Sequence, residues 1–304
     1  VAFVGCRRRS LIKEEVKKGV TMRVRSLNTE EKQYITGCWL IYGPTGSGKT
    51  YSIVTAPMPA ALVNSEPRDP RVTLGGSTLE IDIIEPENFE DIMIWLNQQI
   101  EAATVGKCKY KTVYLDGLTF TMGSYRSALA DDRAEIKWDK LTAKEQKEAK
   151  GWLRDKLSIE QADWGLMAEM MIRETRLLNT LSKLGVVVVA TAIAQESPKW
   201  DRTLQAAPAL LGRDYPTQIH GYFDFIGFLF QPWKLQEDGT VRPPQVAFSS
   251  PNGEYMTKAC GALSTIKRAG DLNITRLLAK LNNGRSKDET PEVVQEVSEA
   301  PKLL

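Results

Sequence analysis

The stretch that most restricts what this chain can fold into is GPTGSGKT, residues 43–50. It fits G-x-x-x-x-G-K-[ST] at Gly43, Gly48, Lys49 and Thr50. Glycines at these positions let the loop from Gly43 through Pro44, Thr45, Gly46, Ser47 and Gly48 turn its backbone N–H groups inward around phosphate oxygens. Lys49 then reaches the β- and γ-phosphates, and the Thr50 hydroxyl is a magnesium ligand. Chance alone would produce the pattern in roughly one chain per hundred of this length, so its flanks decide. The apolar run ITGCWLIYG precedes it as a buried strand. TYSIVTAP follows as a short helix stopped by Pro57, with Tyr51 beside the loop. The loop is therefore expected to bind ATP with Mg²⁺ through residues 43–51, the helix aiming its positive end at the phosphates.

A triphosphate site of this kind needs a large, well-packed domain, and the chain can supply one. Its 304 residues are 42% hydrophobic and 26% charged, near globular averages. The net charge of +2 means any nucleic-acid contact must come from local patches. Cys6, Cys38, Cys108 and Cys260 are dispersed and His220 is the single histidine, which argues against a structural zinc site and suits a reducing, cytoplasmic compartment. No run approaches the ~18 apolar residues of a membrane span, and the N-terminus has no stretch resembling a signal peptide.

Apolar strands alternate with amphipathic segments. AALVN (60–64), LEIDII, TVYLD (112–116), VVVVATAIA (186–194) and FDFIGFLF (223–230) read as strands, and residues 87–105, 163–184 and about 271–282 as helices. Continuous apolar strands separated by helices predict an α/β fold, a mostly parallel sheet covered on both faces. A charged helical insertion is expected at about 120–160. Residues 1–33, with a basic cluster at Arg7–Arg9, read as an N-terminal arm or extension, and 284–304 as a disordered acidic tail, leaving 34–283 as the folded domain.

Two carboxylates stand out. Asp116 closes the run KTVYLD, where a neighbouring strand end would add the second protein ligand to the magnesium shell. Glu66 follows ALVN in the sequence Ser65-Glu66-Pro67-Arg68-Asp69. In a parallel sheet that strand end faces the nucleotide, so Glu66 can orient the attacking water as general base. The bland alternative is a solvated loop glutamate paired with Arg68.

The order LIYGPTGSGKT, ALVNSEPRD, KTVYLDGLT, VVVVATAIAQE resembles the RecA-type ATPase core, in particular the phage nucleotide-binding ATPases that act as RecA-like single-strand annealing proteins. The helix-like phrase ADWGLMAEMMIRETRLLNTL is also similar to that group. The resemblance spans about residues 36–283, with little match over 120–160. It implies a RecA-like P-loop NTPase core, a catalytic role for Glu66, and a polar sensor at Thr191 or Gln195. It also implies a homo-oligomeric ring or filament in which a neighbouring subunit's cation completes the site. The family's Lys-x-Arg pattern meets Lys258-Ala259-Cys260 here, cysteine standing where arginine is expected. Lys258 is the candidate, with Arg268 and Arg213 as alternatives.

The family's single-stranded DNA loops would correspond here to Tyr125, Arg126 and Arg133, and to Lys199, Trp200, Arg202 and Arg213. Cations can take phosphates while an aromatic stacks a base. The partners implied are single-stranded DNA and a single-strand-binding protein, in a host cytoplasm if the chain is phage-encoded. Three rival readings are a DNA-packaging motor, a small-molecule kinase, and an assembly protein that uses nucleotide only to organise oligomers.

Overall fold

The computed structural model describes residues 34–75, 77–139, 141–149, 160–198, 201–231, 234–235, 237, 241–250, 252–261, 263 and 270–282. The expected arm (1–33) and tail (284–304) lie outside the described residues. Along the chain run β1 (Cys38–Gly43), a 3-10 helix (Thr50–Thr55), β2 (Ala60–Asn64), α1 (Arg71–Leu74), β3 (Ile81–Ile84), α2 (Phe89–Thr104) and β4 (Thr112–Asp116). They are followed by α3 (Leu118–Asp139), α4 (Ala143–Ala149), α5 (Gln161–Lys183), β5 (Val187–Glu196), β6 (Ala206–Pro208), α6 (Asp214–Gln218) and β7 (Phe225–Gln231). A second 3-10 helix (Ile219–Gly221), the small strands β8 (Lys234–Leu235), β9 (Val241–Arg242), β10 (Gln245–Ala247) and β11 (Gly270–Asp271), and α7 (Ile274–Asn282) complete the described elements.

The main sheet has the order β11-β10-β7-β1-β5-β4-β2-β3. From β7 to β3 every pairing along this order is parallel; β10 and β11 at one edge run antiparallel, and β6 pairs antiparallel with the end of β5 off this path. The loop-bearing strand β1 is not next to the aspartate-bearing strand β4, because β5 lies between them. This is the α/β arrangement expected from the sequence, a mostly parallel sheet with helices on both faces. Strands β1, β2 and β4 are buried along their whole length, which explains why they read as unbroken apolar runs.

Alternation along β1 sorts the core into two layers. Cys38, Leu40 and Tyr42 face α2, α3 and α5, whereas Trp39 and Ile41 face the 3-10 helix and α7. Trp39 stacks on Phe225 of β7 with ring centroids 4.1 Å apart and meets Phe248 edge-on at 5.6 Å. These contacts lock the loop-bearing strand against its neighbour. Helix α2 starts with a capping box between Asn88 and Asp91 and buries Phe89, Ile92 and Leu96 on one stripe.

Two local expectations change. The helix after the loop is six residues of 3-10 geometry, too short to carry an appreciable macrodipole. The helical insertion begins directly out of β4: α3 starts at Leu118, two residues after Asp116, and runs for 22 residues. No helix among the described residues is long and apolar enough to cross a membrane.

Candidate functional site

Parallel register brings the chemistry to the carboxyl ends of the strands. Asn64 at the end of β2 pairs with Asp116 at the end of β4, and Leu115 pairs with Ala190, one residue before Thr191. Ile41 pairs with Thr191 and Gly43 with Ile193, so the loop leaves β1 at the same end of the strands. Strand alternation points Asn64, Asp116 and Thr191 to the face that carries the 3-10 helix after the loop.

The loop bends through left-handed backbone at Gly46 (φ 73°) and Gly48 (φ 92°), conformations that glycine adopts without penalty. Lys49 is buried, and its ammonium donates to the carbonyls of Gly43 (3.0 Å) and Pro44 (2.8 Å). Burial lowers the Lys49 pKa, and the negative charges of Asp116 and Glu66 oppose that shift. Pro44, Thr45 and Gly46 are exposed at the loop tip, and Tyr51 is half-exposed beside it. In the 3-10 helix the Ser52 hydroxyl bonds its own chain at Lys49 O and the Tyr114 hydroxyl of β4, tying the loop's exit to the central sheet.

Asp116 is 1% exposed. Burial raises its pKa, while hydrogen bonds from the hydroxyls of Thr191 and Thr50 and the charge of Lys49 pull it back towards the ionised form. A buried carboxylate held by two hydroxyls beside a phosphate loop suits a hard cation that takes one or two protein oxygens and otherwise waters and phosphate. Among the described residues no three His, Cys, Asp or Glu side chains cluster as a metal site, and the pair of Thr50 and Asp116 beside the phosphate loop fits Mg²⁺.

Glu66 sits in the same cleft with its side chain 9% exposed, so it is not the solvated loop residue of the bland reading. Its pairing with Arg68 is nonetheless real: Arg68 donates to Glu66 Oε2 from Nη2 (2.6 Å) and from Nε (3.2 Å). The other oxygen, Oε1, lies over Gly117, where a Cβ would meet it at 3.3 Å. Asn64 shapes this turn by accepting from Glu66 N (3.2 Å) and donating to Arg68 O (3.1 Å). Ser65 N donates to Asp116 O at 2.6 Å, fastening the glutamate turn to the aspartate strand. Thr50, Asn64, Glu66, Arg68, Asp69 and Asp116 all line one cleft of about 280 Å³.

Other expected residues fall elsewhere. Thr191, not Gln195, touches Asp116; Gln195 lies four residues further along β5, paired with Ala207 of β6. Lys258 bridges to Ile226, level with Leu40 and below the loop, and its ammonium donates to His220 O and Phe223 O at 2.7 Å each. It is therefore engaged within its own chain at the opposite end of β7 from the cleft. Arg213 is exposed ahead of α6, and Arg268 lies outside the described residues.

The first expected DNA segment is helix α3 and not a loop. Within it Tyr125 packs on Phe89 (4.8 Å between centroids) and Arg133 pairs with buried Asp163, leaving Arg126 exposed. The second is the connection between β5 and β6, closed by Ser197 N to Gln205 O (2.8 Å), with Arg202 exposed; Lys199 and Trp200 lie outside the described residues. Sequence reasoning missed Asn64 and treated Arg68 only as a surface partner. A polar residue ending an otherwise apolar strand, as Asn64 does, was the available signal.

No family model matches the chain, and no curated protein matches it. Among solved structures, a KaiC-like protein from the hyperthermophilic archaeon Pyrococcus horikoshii OT3 is similar at 15% identity with a TM-score of 0.35, over 69% of this chain and 77% of that one. A likeness that weak carries no functional argument, and the fold assignment rests on the strand order above.

Proposed function

We propose that this chain binds ATP with Mg²⁺ and hydrolyses the terminal phosphoanhydride. The observation that carries the reading is the convergence, at the carboxyl ends of the central strands, of buried Lys49, the Thr50–Asp116–Thr191 hydrogen-bonded group and the sheltered Glu66. Lys49 and the loop N–H groups take the β- and γ-phosphates, and Tyr51 offers an exposed ring next to the loop for the base. Mg²⁺, held on the protein side by Thr50 and Asp116, would supply charge neutralisation on the phosphate oxygens. Glu66 orients a water and takes its proton as the water oxygen bonds to the γ-phosphorus. The bond from that phosphorus to the bridging oxygen breaks, and its electrons leave with ADP. Thr191 takes the sensor role because it is the polar strand residue that touches Asp116, while Gln195 is left for communication with the β5–β6 connection.

We further propose that hydrolysis serves single-stranded DNA handling by a homo-oligomer, as in the phage RecA-like annealing proteins the sequence resembles. Exposed Arg126, Arg202 and Arg213 support this reading. The test is phosphate release from Mg-ATP with and without single-stranded DNA, beside a gel-shift measurement. Turnover that rises with DNA is the expected result. Turnover indifferent to DNA, with no shift, would remove the DNA reading and favour a motor or assembly ATPase; absence of both ATP binding and turnover would remove the whole assignment.

A further inference from the structure

The cleft contains a second cation that neither the loop motif nor the family resemblance calls for. Arg68 reaches it from the turn after β2, two residues beyond Glu66, and lines it together with Thr50 and Asp116. Its side chain is 64% exposed while that of Glu66 is 9% exposed, so the guanidinium covers the carboxylate from the solvent side. Both of its bonds to Glu66 end on a single oxygen, Oε2. A guanidinium carries five N–H donors in a planar fork. Two are used on Glu66, and the other three have no partner among the described residues. The backbone that presents Arg68 is held from both sides of Asn64, whose amide nitrogen donates to Arg68 O and whose oxygen accepts from Glu66 N. The charge of Arg68 is also felt at Lys49, across the cleft. By contrast Lys258, the residue expected to bring a cation from a neighbouring subunit, is tied to two carbonyls of its own chain.

We propose that Arg68 is the chain's own γ-phosphate cation: its free donors contact the terminal phosphate of bound ATP while its Nε and Nη2 hold Glu66 beside that phosphate. Planarity suits this double duty, because one guanidinium can bond a carboxylate on one edge and a phosphate oxygen on another. Charge that develops on the γ-phosphoryl oxygens is then met from within the subunit. Hydrolysis by an isolated subunit follows, without a cation from a neighbour.

This inference rests on the ATPase reading above, and the experiment separates the two. Wild type, Arg68→Ala, Arg68→Lys, Arg68→Gln and Lys49→Ala are compared for Mg-ATP turnover and for binding of ADP against the non-hydrolysable β,γ-imido analogue of ATP. Arg68→Ala and Arg68→Gln should leave ADP affinity within about twofold, weaken the imido analogue about tenfold, and lower kcat on the order of 10²-fold, the size seen when one transition-state donor is removed. Arg68→Lys should keep most of the analogue affinity and recover only part of kcat, since lysine restores the charge but not the fork. If Arg68→Ala keeps both kcat and the analogue-to-ADP ratio within twofold of wild type, the inference is overturned while the ATPase reading stands. If kcat falls but the ratio does not move, Arg68 only holds Glu66 and the phosphate contact is refuted. Should Lys49→Ala bind and turn over ATP like wild type, the phosphate-loop reading fails and this inference fails with it.

Discussion

Single side chains at the cleft have distinguishable tasks, and Glu66 is the sharpest case. Its carboxylate is sheltered and held, yet it holds neither the loop nor Asp116 by a hydrogen bond. Glu66→Gln should therefore bind ATP like wild type and hydrolyse it about 10²–10⁴-fold more slowly; parallel nucleotide titration and phosphate-release assays check this. Glu174 poses a different problem at the same scale. It is fully buried on α5 with neither carboxylate oxygen hydrogen-bonded, and burial pushes its pKa from 4.5 up to about 8. The native protein thus keeps a proton that the unfolded chain releases as the pH rises from 4.5 towards 8. Stability should fall across that window, by on the order of 1.4 kcal/mol per pH unit at most, and level off above it. Glu174→Gln is neutral throughout. In urea unfolding at pH 5, 7 and 9, its stability relative to wild type should rise with pH; parallel pH dependences in the two proteins would contradict this account.

At the scale of elements, an ion pair adds to the apolar packing that joins the long helix leaving β4 to α5. Arg133 on α3 donates to Asp163 Oδ1 from Nη2 (2.6 Å) and Nε (3.0 Å), and the Asp163 side chain is 1% exposed. The same aspartate accepts from Glu160 N (3.0 Å) at the start of α5, so one carboxylate caps one helix and grips another. Arg133→Ala removes the two guanidinium bonds from that buried carboxylate. We expect a loss of about 1–3 kcal/mol, below the full cost of breaking a buried pair because Arg133 is itself 38% exposed. Thermal melts of both single variants and the double variant with Asp163→Asn should show strong non-additivity. The charged α3 was legible as a helix from its composition, but not this grip: Arg133 and Asp163 are 30 residues apart, and nothing local pairs them.

For the molecule as a whole, the described fold is closed by a contact between its two ends. Asn282, on the last turn of α7, accepts from Ile35 N (2.7 Å) and donates to Ile35 O (2.8 Å) across 247 residues of sequence. It holds the strand entry to β1 against the helix that covers the same face, beneath Trp39 and Ile41. Asn282→Ala removes both bonds and should lower stability by about 2 kcal/mol, at roughly 1 kcal/mol per bond. Thermal denaturation measures the loss, and ATP binding at saturating nucleotide should persist, since the cleft lies at the other end of β1.

Contiguous residues carried a large share of this protein's description. The loop from Gly43 to Thr50, the buried strands around it, the alternation of strand and helix, and the strand-ending Asp116 are local patterns of glycine freedom and apolar periodicity. They could be read without knowing what lies beside them. The tertiary structure decided which polar groups meet. Strand order inserted β5 between the loop and aspartate strands, and register set Thr191, not Gln195, against Asp116. The turn after β2 folded Arg68 over Glu66, and Lys258 was drawn to the start of β7. Such pairings depend on order and register, which are set by packing summed over the whole sheet; a slip of one residue would turn every side chain to the opposite face. Sequence periodicity specifies which residues are buried, and only the assembled sheet specifies which neighbour each buried polar atom finds.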